Sequence, residues 1–182
     1  MHSPLPYRAI RYAVGVLTLS LILRTWVAMG LVEPVTVSGT SMEPAVPEGS
    51  RLVIDRAVLL QTLDRWQVIV LRSPVDGQLA VKRVVGLPGE RIDLREGKLI
   101  VNGKIEHHPL SKKRTWHRRV GDQPPEVYYT PRAAGQPLRP GPWELSETEI
   151  FVLGDNSPVS IDSRLWGPVP ARLVLGVPLG VR

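Results

Sequence analysis

Leu79-Ala80-Val81-Lys82-Arg83-Val84-Val85-Gly86-Leu87-Pro88-Gly89-Glu90 is the stretch that decides the fold. Its β-branched content and its Gly/Pro punctuation mark a strand that ends in a turn. Side chains alternate across a strand, so Ala80, Lys82 and Val84 share one face and Val81, Arg83 and Val85 the other. Lys82 thus emerges between two apolar neighbours. An amine on an apolar surface is penalised in its charged form, which lowers its pKa from the ordinary value of about 10.4 and lets it act as a base.

Outward from this stretch the chain reads the same way. Leu52-Val53-Ile54, Val68-Ile69-Val70-Leu71, Leu99-Ile100-Val101, Ile150-Phe151-Val152-Leu153 and Leu173-Val174-Leu175 are further short β-type runs, and Pro34 to Ser38 is another. Asp76-Gly77 and Asn102-Gly103 are hairpin turn signals between such runs. The expected class is mainly β, an antiparallel barrel or sandwich. At 182 residues the chain has room for one domain and an insertion. Cysteine is absent, which excludes a thiol protease, a Cys-based zinc site and a disulfide framework. The glycines of Gly86-Leu87-Pro88-Gly89 follow a strand without opening a helix, so they give no phosphate-binding loop.

The N-terminal run from Tyr12 to Val32 has roughly the length of a membrane-spanning helix, interrupted by Arg24. Arg24 lies past its middle and can snorkel toward the far interface beside Trp26. Arg8 and Arg11 precede the run and no acidic residue occurs before Glu33, which orients the N-terminus to the cytoplasm and the rest outside the cell membrane. A cleavable secretory signal is the rival reading, because Ala28 and Gly30 imitate its cleavage region. The expected partition is a cytoplasmic N-terminus and transmembrane anchor over 1–32, a β core over 33–102 plus 146–182, and an inserted Pro-rich basic subdomain over 103–145. In that insertion Lys112 to Arg119 concentrates charge around Trp116. This is a solvated loop or, with the domain facing outward, a surface for lipid headgroups rather than nucleic acid. His107, His108 and His117 lack ligand spacing and carboxylate companions, so neither metal nor cofactor is expected.

Ser41 stands in Val37-Ser38-Gly39-Thr40-Ser41-Met42-Glu43-Pro44, just after the apolar run. A serine hydroxyl is a poor nucleophile near neutral pH and needs a base within hydrogen-bond reach, a role open to Lys82 if its amine is neutral. A third segment runs from Phe151 through Gly154-Asp155-Asn156 and Ser160-Ile161-Asp162-Ser163-Arg164 to Trp166-Gly167.

With its apolar segment, its Gly-x-Ser-Met-x-Pro box, its Lys-Arg-x-x-Gly-x-Pro-Gly box and this third segment, all in order, the chain resembles the bacterial type I signal peptidases. These are membrane-bound Ser/Lys serine proteases that remove signal peptides during protein secretion. The resemblance covers most of the chain outside 103–145, and it implies a mainly β catalytic core of coiled antiparallel sheets forming a barrel-like whole. It implies Ser41 as nucleophile, Lys82 as general base, and Ser160 as the hydroxyl that orients the lysine amine. It further implies Asp162 and Arg164 as a structural ion pair, with Gly154, Asp155 and Asn156 forming the turn that brings this segment beside the base. The oxyanion hole takes one donor from the Ser41 N–H. Its second donor is open, since the position that carries a serine in some relatives is Gly39 here, leaving Ser38 or a main-chain N–H. Gly39 otherwise reads as a position needing positive φ or close approach.

By the same resemblance the strands leading into Ser41 and Lys82 flank the substrate cleft, and the end of a signal peptide adds between them as an extended strand. Val35, Val37, Met42, Ala80 and Val81 then restrict pockets for small residues, which gives cleavage of Ala-x-Ala type; for Val37, Met42 and Val81 ordinary core packing is the competing reading. The implied partners are signal peptides of secreted preproteins and membrane lipids. Two other classes remain: a Ser/Lys peptidase of related fold with another substrate, and a non-enzymatic anchored β-domain that binds envelope partners.

Overall fold

The computed structural model describes residues 7–28, 32–56, 63–107, 132–133 and 136–181. Among them, helix α1 (Tyr7–Ala28) is followed by thirteen strands: β1 (Val32–Thr36), β2 (Arg51–Asp55), β3 (Val68–Arg72), β4 (Leu79–Gly86), β5 (Arg91–Arg95), β6 (Lys98–Val101), β7 (Lys104–Glu106), β8 (Arg132–Ala133), β9 (Gln136–Pro137), β10 (Trp143–Glu144), β11 (Glu149–Leu153), β12 (Val169–Pro170) and β13 (Val174–Pro178). A short helix α2 (Ser163–Trp166) and a 3₁₀ turn (Ala171–Leu173) lie near the end. The fold is mainly β, as the alternating runs require.

Seven strands make the principal sheet in the order β1-β2-β13-β3-β4-β11-β12, and every pairing is antiparallel. The order runs from edge to edge, so among the described residues this sheet is open rather than a closed barrel. Register shifts at Phe151/Val152 and Val174/Gly176 mark bulges, which bend and twist a sheet. A smaller sheet has the order β10-β5-β6-β7. Two of its members, β7 and β10, come from within 103–145 and pair with strands outside that range. The basic cluster at 112–119 lies outside the described residues.

Turn chemistry sets these registers. Asp76-Gly77 closes the β3–β4 hairpin, where Ser73 N donates to Gln78 O (2.8 Å) and Gln78 N to Asp76 Oδ1 (3.1 Å). Asn102 and Gly103 at φ 49° and 80° close β6–β7 with both central residues left-handed, the requirement of the tight hairpin turn. Glu96-Gly97 closes β5–β6 with the same signs, a turn whose first residue conceals it from a search for Asn-Gly or Asp-Gly.

The strand period of two is visible in burial. On β3, Val68 and Val70 enter one core with Val37, Met42, Leu52, Ile54 and Val81, while Ile69 and Leu71 enter another with Val84, Ile150, Val152 and Val169. A third core joins Val85 of β4 to Ile92, Leu99, Phe151 and Leu153, linking the two sheets. On β4 the expected faces are present: Ala80 and Val84 pack on one core, Val81 and Val85 on others.

The span expected over Tyr12 to Val32 begins within α1 and runs into residues outside the described ones; among the described residues no helix is long and apolar enough to cross a membrane.

The turn between β4 and β5 is pinned by Arg65, which pairs both its terminal nitrogens with the Glu90 carboxylate (2.6 and 3.0 Å) and donates to Val85 O (2.7 Å). Deeper still, Arg83 and Asp155 form a fully buried, two-point ion pair at 2.8 and 2.6 Å. Removing one partner leaves the other charge buried without its counterion, a loss of about 3–5 kcal/mol. Asp155→Ala is therefore expected to lose that much stability in denaturant titration, and the double variant Arg83→Met/Asp155→Ala substantially less.

Candidate active site

Lys82 leaves β4 between Ala80 and Val84, and only 4% of it is exposed. Its Nζ lies 2.7 Å from Ser41 Oγ. The Lys82 pKa is lowered to about 8, chiefly by burial; Asp162 opposes the shift, Arg164 adds to it, and Asp155 opposes it without cancelling it. A large neutral fraction at mildly alkaline pH follows, with the hydroxyl already in contact.

Ser41 is held by main-chain bonds of its own loop. Val37 N donates to Ser50 O and Gly49 N to Val37 O, both at 2.9 Å, closing the loop's base. Glu43 N donates to Thr40 O (3.1 Å) and Val46 N to Met42 O (2.9 Å), winding the segment around the serine. Gly39 takes φ 94°, the left-handed conformation that its residue type permits. Its N–H donates to Glu48 Oε1 (2.9 Å) and is thereby engaged, whereas the Ser41 N–H donates to no protein group among the described residues.

The Gly154-Asp155-Asn156 turn joins the Ser41 loop, β4 and the following segment. Asn156 N donates to Ser41 O (2.9 Å) and Asn156 Nδ2 to Thr40 O (3.1 Å). Asp155 pairs with Arg83, the neighbour of Lys82. Gly154 N donates to Asp162 Oδ2 (2.9 Å). No larger residue fits at 154: a Cβ there would lie 2.6 Å from the Ser41 carbonyl oxygen and collide with the Ser160 side chain.

Asp162 and Arg164 are both fully buried and pair at 2.8 and 2.9 Å. Asp162 also caps α2 by accepting from Arg164 N (3.2 Å). The same guanidinium donates to Ser157 Oγ, Ser157 O and Ser160 O, so it fastens the whole 157–164 loop. Ser163 Oγ accepts from Val152 N (3.0 Å) and docks α2 on β11. Ser160 is buried beside Gly154, but its Oγ has no hydrogen-bond partner among the described residues. The implied bond from Ser160 to the Lys82 amine is absent; the amine's contact is with Ser41 instead.

A groove of about 730 Å³ opens over the pair. It runs from Ser38, Thr40 and Ser41 along Leu79 and Ala80 to Val75 and Gln78, and on its other side meets Ile161, Trp166 and Gln136. Of the five expected substrate contacts Ala80 alone lines it. Val37, Met42 and Val81 are buried in the core beneath β1 and β2, and Val35 packs against that core. The strand period explains the difference, since the residues flanking Lys82 on the chain point to the opposite face of β4. The half-exposed apolar rim of Leu79, Val159 and Ile161 gave no periodic signal of its own. Arg83 did carry one: an arginine between Val81 and Val85 on a buried face requires an acidic partner.

Residues 9–179 match the family model described as signal peptidase, peptidase S26. The chain is 31% identical over 145 residues to signal peptidase I V of Bacillus subtilis strain 168, covering 78% of this chain and 80% of that one. It is 30% identical over 151 residues to signal peptidase IB of Staphylococcus aureus strain COL, covering 80% and 75%. A crystal structure of a signal peptidase I from Enterococcus faecalis V583 aligns with 34% identity over 64% of this chain and 96% of that one, at a TM-score of 0.49. With nearly all of its length matched, the chain belongs to the S26 signal peptidase family.

Proposed function

We propose that this protein is a membrane-anchored serine endopeptidase that removes N-terminal signal peptides from exported preproteins by cutting after small residues. The observation that carries the proposal is the 2.7 Å approach of a buried Lys82 amine to Ser41 Oγ. Ser41 Oγ attacks the scissile carbonyl as Lys82 takes its proton. Lys82 then returns the proton to the leaving amine. The acyl ester on Ser41 is cleaved by a water that Lys82 deprotonates in turn. The unengaged Ser41 N–H is one donor to the developing oxyanion, and Ser38, which lines the groove, supplies the second. Asn156, Asp155, Gly154, Asp162 and Arg164 hold this geometry without touching substrate.

The edge of β4 supports binding of an extended chain. Among the described residues β11 pairs with β4 from Arg83 to Gly86, leaving that edge unpaired from Leu79 to Lys82, where Leu79, Ala80 and Lys82 line the groove. A preprotein segment adds there as a strand. Leu79 and Ile161 crowd the groove and favour small side chains.

Membrane attachment is supported by α1, whose exposed residues include Val16, Leu17, Leu19, Leu21 and Ile22. We read it as a single-pass anchor, with Arg8 and Arg11 on the cytoplasmic side and the β core outside. Arg24 reaches for the far interface through its aliphatic stem. The anchor keeps the catalyst beside a substrate that is itself in the membrane, raising their effective concentration.

In detergent, the full chain is expected to cut a preprotein after an Ala-x-Ala site, and Ser41→Ala or Lys82→Met to reduce the rate by at least about 10³-fold while circular dichroism is unchanged. Activity near wild type in either variant would overturn the dyad. The kcat/KM of the wild type should rise with pH and level off above an apparent pKa of about 8; a rise continuing to the free-lysine value would contradict a desolvated base.

The same shift has a stability consequence. The unfolded chain keeps the Lys82 proton up to about 10.5 and the folded protein releases it at about 8, so stability rises with pH between those values. Below pH 8 the full penalty is present. Lys82→Met is therefore expected to be more stable than wild type at pH 6, by up to about 3 kcal/mol. The difference should shrink above pH 8 and vanish by pH 10.5, as measured by urea titration at each pH.

A further inference from the structure

The grip of Asn156 on the Ser41 loop stops short of the residues just before it. Asn156 N donates to Ser41 O and Asn156 Nδ2 to Thr40 O, so the chain is tethered from Thr40 onward. Ser38 and Gly39 line the groove with Ser41 but lie outside that grip. Among the described residues these two make one hydrogen bond, from Gly39 N to Glu48 Oε1 at 2.9 Å.

The segment needs such a tether. Gly39 is at φ 94°, and a Cβ built on it would meet nothing within 4 Å, so no packing confines this position. Glycine adopts both signs of φ about as readily, so an untethered Gly39 lets the Ser38–Gly39 peptide plane swing and carry the Ser38 side chain with it. Glu48 stands on firmer ground. Val37 N donates to Ser50 O and Gly49 N to Val37 O, both at 2.9 Å, pairing the two sides of the loop next to Glu48. Ser50 Oγ and Ser50 N both donate to Pro47 O (2.6 and 3.2 Å), closing a turn around it. The bond that Glu48 then offers to Gly39 is charge-assisted, the stronger kind.

The chemistry gives this tether a use. Negative charge develops on the substrate carbonyl oxygen only as the tetrahedral intermediate forms, so donors aimed at it speed the reaction without tightening the ground state. The Ser41 N–H shares a peptide plane with the Thr40 carbonyl, which Asn156 holds. The Ser38–Gly39 plane is held by Glu48 instead.

We propose that Glu48 is a positioning residue for the oxyanion hole: by accepting from Gly39 N it fixes the Ser38–Gly39 peptide and, with it, the Ser38 hydroxyl at the groove. The role needs an acceptor rather than a charge, and a carboxamide oxygen supplies one. The inference deepens the proposed function and rests on its assignment of Ser38 as the second oxyanion donor.

The test is steady-state cleavage, by the full chain in detergent, of a peptide spanning an Ala-x-Ala site, together with inhibition by the matching peptide aldehyde. Ser41 Oγ adds to the aldehyde carbon, the serine proton passes to Lys82 and the aldehyde oxygen becomes the oxyanion, so the Ki reports on the hole. Glu48→Ala is expected to lower kcat about 10-fold and raise the aldehyde Ki about as much, with KM within about twofold of wild type. Glu48→Gln should bring both back to within about threefold of wild type. Ser38→Ala should lower kcat at least as far as Glu48→Ala, and Ser38→Ala/Glu48→Ala no further than Ser38→Ala alone, because the one acts through the other. Wild-type kcat and Ki in Glu48→Ala would overturn the proposal, as would a loss confined to KM or a Glu48→Gln variant as slow as Glu48→Ala. Thermal melting guards against a general loss of structure: a Glu48→Ala variant whose kcat falls only along with its melting temperature also refutes the role. Should Ser38→Ala keep the wild-type kcat, the assignment of the second donor fails; should Ser38→Ala be slow while Glu48→Ala is not, only this inference does.

Discussion

The hold of Asn156 on the Ser41 carbonyl is the constraint on which the site depends. Ser41 sits on a loop whose other bonds are local, and Lys82 sits on a strand of the principal sheet. Nothing in either segment alone brings the two within hydrogen-bond range. The turn at 154–156 does so by gripping both: Asn156 on the loop, and Asp155 on the arginine that follows Lys82. Two buried ion pairs flank this turn, Arg83–Asp155 and Asp162–Arg164. Such pairs contribute little net stability compared with apolar packing, but their geometry is exacting, and a site that needs one hydroxyl beside one amine gains from that exactness.

The same arrangement reconciles opposed demands on Lys82. Its amine has to be dry to lose its proton, yet Asp155 and Asp162 stand near enough to favour keeping it. Each carboxylate is matched by its own guanidinium, Arg83 or Arg164, so their attraction for the amine is muted and burial prevails. A lone aspartate in either place would raise the lysine pKa.

Much of this was legible in the chain. The period of two around Lys82 predicts its apolar setting, and Asp76-Gly77 and Asn102-Gly103 predict hairpins that are present. Local order is what such patterns encode. The groove was less legible because it is made where segments distant in sequence meet. Val37, Met42 and Val81 look like pocket residues beside the key positions, but neighbours on a strand face opposite ways and these three are core. Leu79, Ile161 and Gln136 reach the groove from separate elements. Ser160 illustrates a finer limit: its burial next to the site follows from the loop, whereas the direction of its hydroxyl depends on distances that no pattern specifies.

Among the described residues, the β4 edge that β11 leaves unpaired runs four residues, from Leu79 to Lys82, and it borders the groove instead of standing at the rim of the sheet. An open edge on the outside of a β protein invites other sheets to dock and grow into aggregates. Here the edge lies among the residues that line the groove, Ser38, Thr40 and Ile161 with them, and this placement keeps it from pairing with the sheet of another molecule.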